Sequence, residues 1–269
     1  TCDIPLALAL SGGGIRAMAF HMGVLKYLAE KNRLENVQHI STVSGGSLIL
    51  GLIFKSNEMI WPTSKIFLEN TIPDLRKKIC SKSLMIGMIR QLKNPKNFKF
   101  LLSRSNLLAN TLNDEWGINY KLSEIPDYPV WHINATTAET GKRFRFKKED
   151  LGEYSLGYTE ETQKFPLSKA MAVSAAFPGG IGPLVINTTD YKWHKRPWGK
   201  LKNENKEILL GYTRLHLYDG GVYDNLGLEP FFDTGKQEKK EGISSETVLI
   251  VSDAGAPLAQ SFLSKQLSP

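Results

Sequence analysis

Short apolar segments alternate with longer segments in which apolar residues recur at helical spacing. Residues 4–10 are continuously apolar, as expected of a strand buried on both faces of a sheet, and residues 37–43 also have the character of a strand. Residues 15–31, which follow the first strand, place apolar residues at helical spacing, and residues 47–54, which follow the second, also predict a helix. Strand, helix, strand and helix in this order predict a parallel sheet with helices packed against it.

The remaining elements are predicted by the same criteria: an antiparallel hairpin at 129–137 and 142–146 around Gly141, a helix of small residues at 167–176, and strands at 208–218 and 247–252, the last one buried. Residues 188–207 are polar and basic, include Trp193 and Trp198, and predict a surface excursion. Residues 58–125 lack the strand–helix alternation and predict a helical insertion or cap. We therefore expect one α/β domain over residues 1–269, a three-layer α/β/α fold with a mainly parallel central sheet.

Ser44 lies between the second strand and the helix that follows it, beside Gly45 and Gly46. A serine flanked by small residues at a strand-to-helix turn is typical of a nucleophile elbow, and the N-terminus of the next helix favours negative charge. Thr42 stands where the usual motif has its first glycine. The alternative is that Ser44 is an ordinary N-cap of the helix.

Three consecutive glycines, Gly12, Gly13 and Gly14, lie between the first strand and the first helix. Glycines let the backbone approach a ligand closely and present N–H groups to an oxyanion. Phosphate-binding loops use similar geometry, but the spacing here matches neither G-x-G-x-x-G nor a P-loop. Arg16 places a cation in the first turn of the helix, against the helix dipole, so it either points into solvent or binds an anion held at that helix end.

A serine nucleophile needs a group that accepts its proton, and one predicted strand carries two candidates. Asp219 ends that strand and precedes two glycines, at the kind of strand end where α/β folds build their sites. His216 is the best placed of the five histidines for a triad, but side chains alternate along a strand, so His216 and Asp219 are expected to face opposite sides. The alternative for Asp219 is an ordinary turn aspartate, like Asp253 before its own glycine.

Composition narrows the class of protein without identifying it. The only two cysteines, Cys2 and Cys80, exclude a disulfide framework and a cysteine-rich zinc site, and they favour a reducing compartment. No apolar segment approaches the roughly 20 residues that a membrane span needs, and the first strand lacks the basic region of a signal peptide. We expect a cytoplasmic protein.

The net charge of +7 is concentrated in the insertion. Residues 75–113 contain no Asp or Glu and nine cations: Arg76, Lys77, Lys78, Lys82, Arg90, Lys93, Lys96, Lys99 and Arg104. Apolar residues such as Ile86, Ile89 and Phe98 are interleaved with them, which predicts peripheral contact with an anionic membrane surface. The alternative is a solvated basic helix whose apolar residues pack on the core. No nucleic-acid partner is expected, because no recognisable motif for one is present.

Three blocks taken together resemble the patatin-like phospholipases and the related cytosolic phospholipases. They are Ser11–Ala17 around the glycines, Val43–Ser47 around the serine, and Asp219–Asn225. Residues 168–179, with Ala-Val-Ser-Ala-Ala-Phe-Pro, and residues 134–146 resemble two further blocks of that family. The resemblance extends from Leu6 to about Leu226, apart from residues 58–125.

The resemblance implies a Ser–Asp dyad that works without histidine, in which Ser44 attacks an acyl carbonyl and Asp219 accepts the proton. It implies an oxyanion hole built from backbone N–H groups of Gly13 and Gly14, with Gly12 or Gly45 as further donors. It also implies that Arg16 supports the loop or meets the lipid phosphate. The expected activity is hydrolysis of carboxyl esters of phospholipids or other lipids, of the phospholipase A or lysophospholipase type, without a metal or a cofactor.

Two other functions stay open on the sequence. An esterase or thioesterase acting on soluble acyl substrates would use the same dyad, and it would cleave monomeric short esters but not vesicles. A catalytically silent lipid- or nucleotide-binding module would use the glycine loop alone, and a fluorophosphonate probe would then leave Ser44 unlabelled.

Overall fold

The computed structural model describes residues 4–100, 103–195, 206–233, 235–240 and 243–255. The helices are α1 (Gly14–Glu30), α2 (Gly45–Ser56), α3 (Ser64–Ile66), α4 (Ile72–Ser81), α5 (Leu84–Gln91), α6 (Arg104–Asp114) and α7 (Leu167–Ser174). The strands are β1 (Leu6–Leu10), β2 (Val37–Thr42), β3 (Val130–Thr137), β4 (Arg143–Phe146), β5 (Leu151–Glu153), β6 (Gly157–Thr159), β7 (Leu184–Asn187), β8 (Trp193–Lys195), β9 (Lys206–Ile208), β10 (Arg214–Asp219), β11 (Phe232–Asp233), β12 (Glu238–Lys239) and β13 (Val248–Ser252).

One mixed sheet of eleven strands forms the centre of the fold, with the main order β13-β1-β2-β3-β4-β5-β6-β8-β9. The strands β13, β1, β2 and β3 are parallel, as the crossovers through α1 and α2 require. Beyond β3 the sheet continues with antiparallel pairs, beginning with the predicted hairpin of β3 and β4. The structure thus confirms the α/β class and a sheet whose central strands are mostly parallel and flanked by helices.

The strand β3 is longer than its neighbour β2, and this difference in length creates the site. Thr42, at the end of β2, pairs with Ile133. Two residues further along β3, Ala135 pairs with Phe144 of β4 on one edge and with Asp219 of β10 on the other. Because β4 occupies one edge of β3, β10 must continue the edge that β2 has left. Asp219 is thereby placed just beyond the end of β2.

The two faces of the sheet carry different side chains, because successive residues of a strand point to opposite sides. Leu6, Leu8 and Leu10 of β1 belong to the large apolar core that includes the buried residues of α1, α2 and α7. Ala7 and Ala9 point the other way and pack with Phe231, from the segment that follows β10. The main core therefore lies between the sheet and the helices.

Three predicted elements differ from the structure. The predicted strand 208–218 is interrupted after Ile208, where the fully exposed Leu209 leaves β9 and the chain enters β10 only at Arg214. The predicted surface excursion contains β8, whose Trp193 is buried and donates its indole N–H to the carbonyl of Thr188 at 2.8 Å. Trp198 lies outside the described residues. The last strand, β13, is an edge strand and not a buried one, since it pairs only with β1 among the described strands and Val248 and Val251 are over 40% exposed.

The segment predicted as a helical insertion contains α3, α4, α5 and α6. Leu75 of α4, Leu84 of α5 and Leu112 of α6 are buried in the main core, so these helices are part of the folded unit. Cys80 is a free, exposed thiol at the end of α4. Among the described residues, no helix is both long enough and apolar enough to cross a bilayer.

Gly46 and Gly23 offer a matched test of the close packing at the end of β1. A Cβ on Gly46 would lie 2.6 Å from the carbonyl oxygen of Leu10, whereas a Cβ on Gly23, in α1, would meet nothing within 4 Å. We expect Gly46→Ala to destabilise the protein strongly. Gly23→Ala should stabilise it by about 0.5–1 kcal/mol, the usual gain for alanine in a helix. Denaturant unfolding of the two variants measures both effects, and equal stabilities would contradict the packing.

Candidate active site

Ser44 lies at the turn between β2 and α2 in a conformation that L-residues rarely adopt. Its φ is 50° and its ψ is −116°. Such a backbone is strained, and strained residues persist only where the surrounding structure holds them. A Cβ on Gly45 would come 2.2 Å from the carbonyl oxygen of Gly14, so the close approach of α1 and α2 excludes a side chain there. The tight turn predicted around the serine is therefore present.

The C-terminal end of α7 holds both Ser44 and Asp219. The backbone N–H of Ser44 donates to the carbonyl oxygen and to the hydroxyl of Ser174, at 3.1 and 3.0 Å. The backbone N–H of Asp219 donates to the carbonyl of Ala176 at 3.1 Å. Carbonyl groups in the last turn of a helix lack intrahelical partners, so they are available for these bonds. The nucleophile candidate and the base candidate are thus bonded to carbonyls two residues apart, one at the last residue of α7 and one just past it.

Asp219 is 4% exposed, and its carboxylate faces the 9%-exposed Ser44. One carboxylate oxygen accepts the N–H of Gly221 at 2.7 Å. Burial raises the pKa of Asp219 to about 6, because the charged form loses hydration, and the bonds from Gly221 and from the Ser44 hydroxyl oppose this rise only in part. A carboxyl with this pKa is ionised at neutral pH and is a stronger base than an exposed aspartate.

The glycine loop leads from β1 to α1 directly beside Ser44. Gly13 has a φ of 140° and Gly14 a φ of 64°, conformations that favour glycine. The N–H of Gly12 donates to the carbonyl of Asn225 at 3.0 Å, which removes Gly12 from the predicted set of oxyanion donors. Among the described residues, no acceptor bonds the N–H groups of Gly13, Gly14 or Gly45.

Ser11 and His21 attach the base of the glycine loop to the end of β13. The N–H of Ser11 donates to the carbonyl of Ser252, and the Ser11 hydroxyl accepts the N–H of Ala254 at 2.8 Å. The imidazole of His21 bonds the carbonyl of Ser11 through Nε2 and the hydroxyl of Ser252 through Nδ1. Burial lowers the pKa of His21, so the neutral ring is the form that fits this position. His21 is therefore a core histidine, as its position on the helix predicts.

The structure separates His216 from the site. His216 lies on the opposite face of β10 from Asp219, and its Nδ1 is 2.7 Å from a carboxylate oxygen of Glu139. Asp253 is exposed and accepts the N–H of Gly255 in its own turn at 2.7 Å. Arg16 is exposed, and among the described residues it has no carboxylate partner.

Within the described part of the chain, no cluster of three or more His, Cys, Asp or Glu side chains could hold a metal ion.

A groove of about 540 Å³ lies near the end of β10, but neither Ser44 nor Asp219 lines it. It is bordered by the loop Pro178–Pro183 after α7, by the β3–β4 turn, by Arg104, by Val222 and by Tyr218, which strand alternation places on the face of β10 opposite Asp219. Arg104 donates from Nη1 to the carbonyl of Gly180 at 2.9 Å and remains exposed. The groove is of the size that small ligands occupy in proteins.

Sequence reasoning did not assign three residues that organise the site: Ser174, Ala176 and Asn225. Ala176 and Asn225 act through backbone carbonyls, which any residue type supplies, so their side chains gave no signal. Ser174 gave a weak signal, since it is the serine within the small-residue block Ala-Val-Ser-Ala-Ala-Phe-Pro. A polar residue in the middle of such a block indicates a buried hydrogen bond.

The parallel strands, the strained serine at a strand-to-helix turn and the buried carboxylate facing it make up an arrangement typical of serine acyl hydrolases of the α/β class. Comparison with models of protein families matches residues 8–232 to the model described as patatin-like phospholipase. The chain belongs to the patatin-like phospholipase family. Membership supports lipid hydrolase activity in the broad sense.

Comparison with solved structures finds matches at low identity, and the TM-score of the human one shows the same fold. Human GIVD cytosolic phospholipase A2 is 14% identical with a TM-score of 0.56, over 84% of this chain and 44% of that one. VipD from Legionella pneumophila is 14% identical with a TM-score of 0.42, over 91% of this chain and 49% of that one. The chain thus spans less than half the length of each. Comparison with curated proteins gives no match.

The raised pKa of Asp219 predicts how activity and stability depend on pH. If Asp219 is the base, kcat/KM on a soluble ester should fall as pH decreases through about 6, because the protonated carboxyl cannot accept a proton. Because burial raises the pKa of Asp219 to about 6, well above that of an aspartate in the unfolded chain, ionising Asp219 costs the folded state on the order of 3 kcal/mol. The stability that comes from the protonated form of Asp219 is therefore fully present below pH 4, and it is lost as the pH rises through 6 and the carboxyl ionises.

Asp219→Asn should therefore melt at a higher temperature than the wild type at pH 8 and at a similar temperature at pH 4. Asp253→Asn is the matched control, because it also ends a strand but is exposed. Thermal unfolding at both pH values measures the difference. A flat activity profile between pH 5 and 8, together with no gain in stability at pH 8, would contradict the buried, ionising carboxyl.

Proposed function

We propose that the chain hydrolyses carboxyl esters of phospholipids or related lipids through a Ser44–Asp219 dyad. The observation that carries the proposal is the buried carboxylate of Asp219 facing the strained Ser44, with the glycine loop beside them. His216 is occupied by Glu139, which supports a dyad and not a triad. Phospholipase A or lysophospholipase chemistry fits this site and the family.

In the acylation step, the Ser44 hydroxyl attacks the acyl carbonyl and its proton passes to Asp219. The tetrahedral intermediate then expels the alcohol, which takes the proton from Asp219, and the acyl group remains as an ester on Ser44. In the second step, water gives a proton to Asp219 and attacks this ester. The fatty acid leaves, and Ser44 regains its hydroxyl proton. No metal or cofactor takes part in either step.

The negative charge on the carbonyl oxygen needs donors that are not already engaged. The N–H groups of Gly13 and Gly14 are the proposed oxyanion hole, and Gly45 is a further donor. The N-terminal ends of α1 and α2 both begin at these glycines, so the helix dipoles favour the same charge. We propose that Arg16, exposed in the first turn of α1, meets the substrate phosphate.

Membrane contact is proposed at the insertion. Its helix α5 buries Leu84, while Met85, Ile86 and Ile89 are 70%, 58% and 63% exposed. Exposure of these side chains argues against the alternative in which the apolar residues of the segment all pack on the core. Exposed cations, including Lys93 and Lys96, follow directly. Apolar side chains flanked by cations suit the interface of an anionic bilayer.

The dyad is tested by substitution of its members. Ser44→Ala and Asp219→Asn should each lower kcat by about four orders of magnitude, and the double variant should be no worse, because the two act as one unit. His216→Ala should keep its activity. A folded but inactive His216→Ala would favour a triad. Retained activity in Ser44→Ala, or no labelling of wild-type Ser44 by a fluorophosphonate, would refute hydrolysis at this site and favour a silent binding module.

The membrane contact is tested by charge reversal. Lys93, Lys96 and Lys99 changed together to Glu should weaken sedimentation with anionic vesicles while sparing hydrolysis of a soluble ester, because each cation contributes on the order of 1 kcal/mol near such a surface. Reversal of Lys26, Lys31 and Lys236 changes the net charge equally and is the matched control. Equal losses in both variants would mean that only net charge matters. Hydrolysis of soluble esters without any vesicle binding would favour the esterase alternative.

A further inference from the structure

A chain of buried hydroxyl groups lies directly beneath the nucleophile candidate. The Ser174 hydroxyl, which accepts the N–H of Ser44, is 2.8 Å from the hydroxyl of Ser47. The Ser47 hydroxyl is 2.8 Å from that of Thr42, and Thr42 also accepts the indole N–H of Trp131 at 2.8 Å. The three hydroxyl side chains belong to fully buried residues. The chain connects α7, α2 and the end of β2 through side chains alone.

The hydrogen bonds of the chain have a direction. A hydroxyl donates one proton, and the indole N–H only donates. If Ser174 donates to Ser47 and Ser47 donates to Thr42, then Thr42 donates onward to the carbonyl of His132, at 3.5 Å, the longest link. Every hydroxyl proton then has an acceptor. In the opposite direction, the proton of Ser174 has no acceptor among the described residues, and buried polar groups are rarely left so.

This direction leaves the Ser174 oxygen free to accept the N–H of Ser44, the group that must be held for the strained turn to persist. It also explains the residue at position 42. The usual nucleophile-elbow motif has glycine there, and glycine has no hydroxyl with which to end the chain. Thr42 accepts from two groups and donates to one, which a serine would also do and a valine would not.

We propose that Thr42, Ser47 and Ser174 are positioning residues that hold Ser44 in its reactive conformation through this directed chain. None of them touches the acyl group. They fix the backbone from which the Ser44 hydroxyl is directed at Asp219. The inference rests on the proposed function for its kinetic consequence, but the positioning of the backbone does not depend on it.

The test compares two substitutions of Thr42. Thr42→Val keeps the shape of the side chain and removes the hydroxyl, so kcat on a soluble ester should fall by about tenfold to a hundredfold at unchanged KM, as expected for a misplaced reacting group. Labelling of Ser44 by a fluorophosphonate should slow by the same factor. Thr42→Ser restores the hydroxyl and should recover both rates. Ser174→Ala is the second variant, in case Thr42→Val does not fold.

Thr111→Val is the matched control. Thr111 is also fully buried, and its hydroxyl donates to the carbonyl of Leu107 at 2.8 Å, but it lies in α6, outside this chain. Thr111→Val should lose stability and keep kcat. If Thr42→Val and Thr111→Val lose stability alike and both keep kcat, or if Thr42→Ser is as slow as Thr42→Val, the positioning role is wrong.

Hydrogen exchange separates this inference from the proposed function. The amide of Ser44 should exchange faster in Thr42→Val and in Ser174→Ala than in the wild type and in Thr111→Val, whether or not the protein hydrolyses an ester. An inactive, unlabelled wild type with this exchange pattern would refute the hydrolase and support the positioning chain. If the wild type is active but the Ser44 amide exchanges equally in all variants, the result would support the hydrolase and refute the positioning chain.

Discussion

Two backbone hydrogen bonds at the end of α7 support the candidate site. Ser174 accepts the N–H of Ser44, and Ala176 accepts that of Asp219. A dyad needs a fixed separation between its members, and two carbonyls that are two residues apart, at the last residue of α7 and just past it, favour such a separation. The glycine loop joins the same assembly through Gly12 and the turn after Asp219. Displacement of α7 would therefore disturb nucleophile, base and loop together.

The site concentrates unfavourable features that the rest of the fold offsets. Ser44 is strained, Asp219 is a buried aspartate, and among the residues that the structure describes no group accepts the N–H of Gly13 or Gly14. Such features are expected where a protein prepares to stabilise charge that appears only during reaction. The leucine-rich core beneath β1 and the buried hydroxyl chain hold them in place. Burial of Asp219 shows the conflict most directly, because it makes the carboxylate a stronger base and also lowers the stability of the folded protein at neutral pH.

The sequence predicted the elements around Ser44 well, because β1, α1, β2 and α2 have clear periodicity and their turns are made of glycine. It also predicted that His216 and Asp219 face apart, which follows from strand alternation alone. It missed the edge position of β13 and the burial of Trp193, because both depend on which strands become neighbours. It included Gly12 among the oxyanion donors, because no local pattern shows that Asn225 accepts its N–H. The roles of backbone carbonyls such as that of Ala176 leave no trace in residue type.

The greater length of β3 relative to β2 has a consequence for biosynthesis. The glycine loop and Ser44 leave the ribosome well before β10, whereas Asp219 reaches its place only after β10 has paired along the far half of β3. Contacts of such large sequence separation form late in folding. A nascent chain that ends before β10 therefore carries the serine without its base. Under the proposed mechanism, lipid hydrolysis would begin only when the sheet is complete, and truncated or partly folded chains would be inactive.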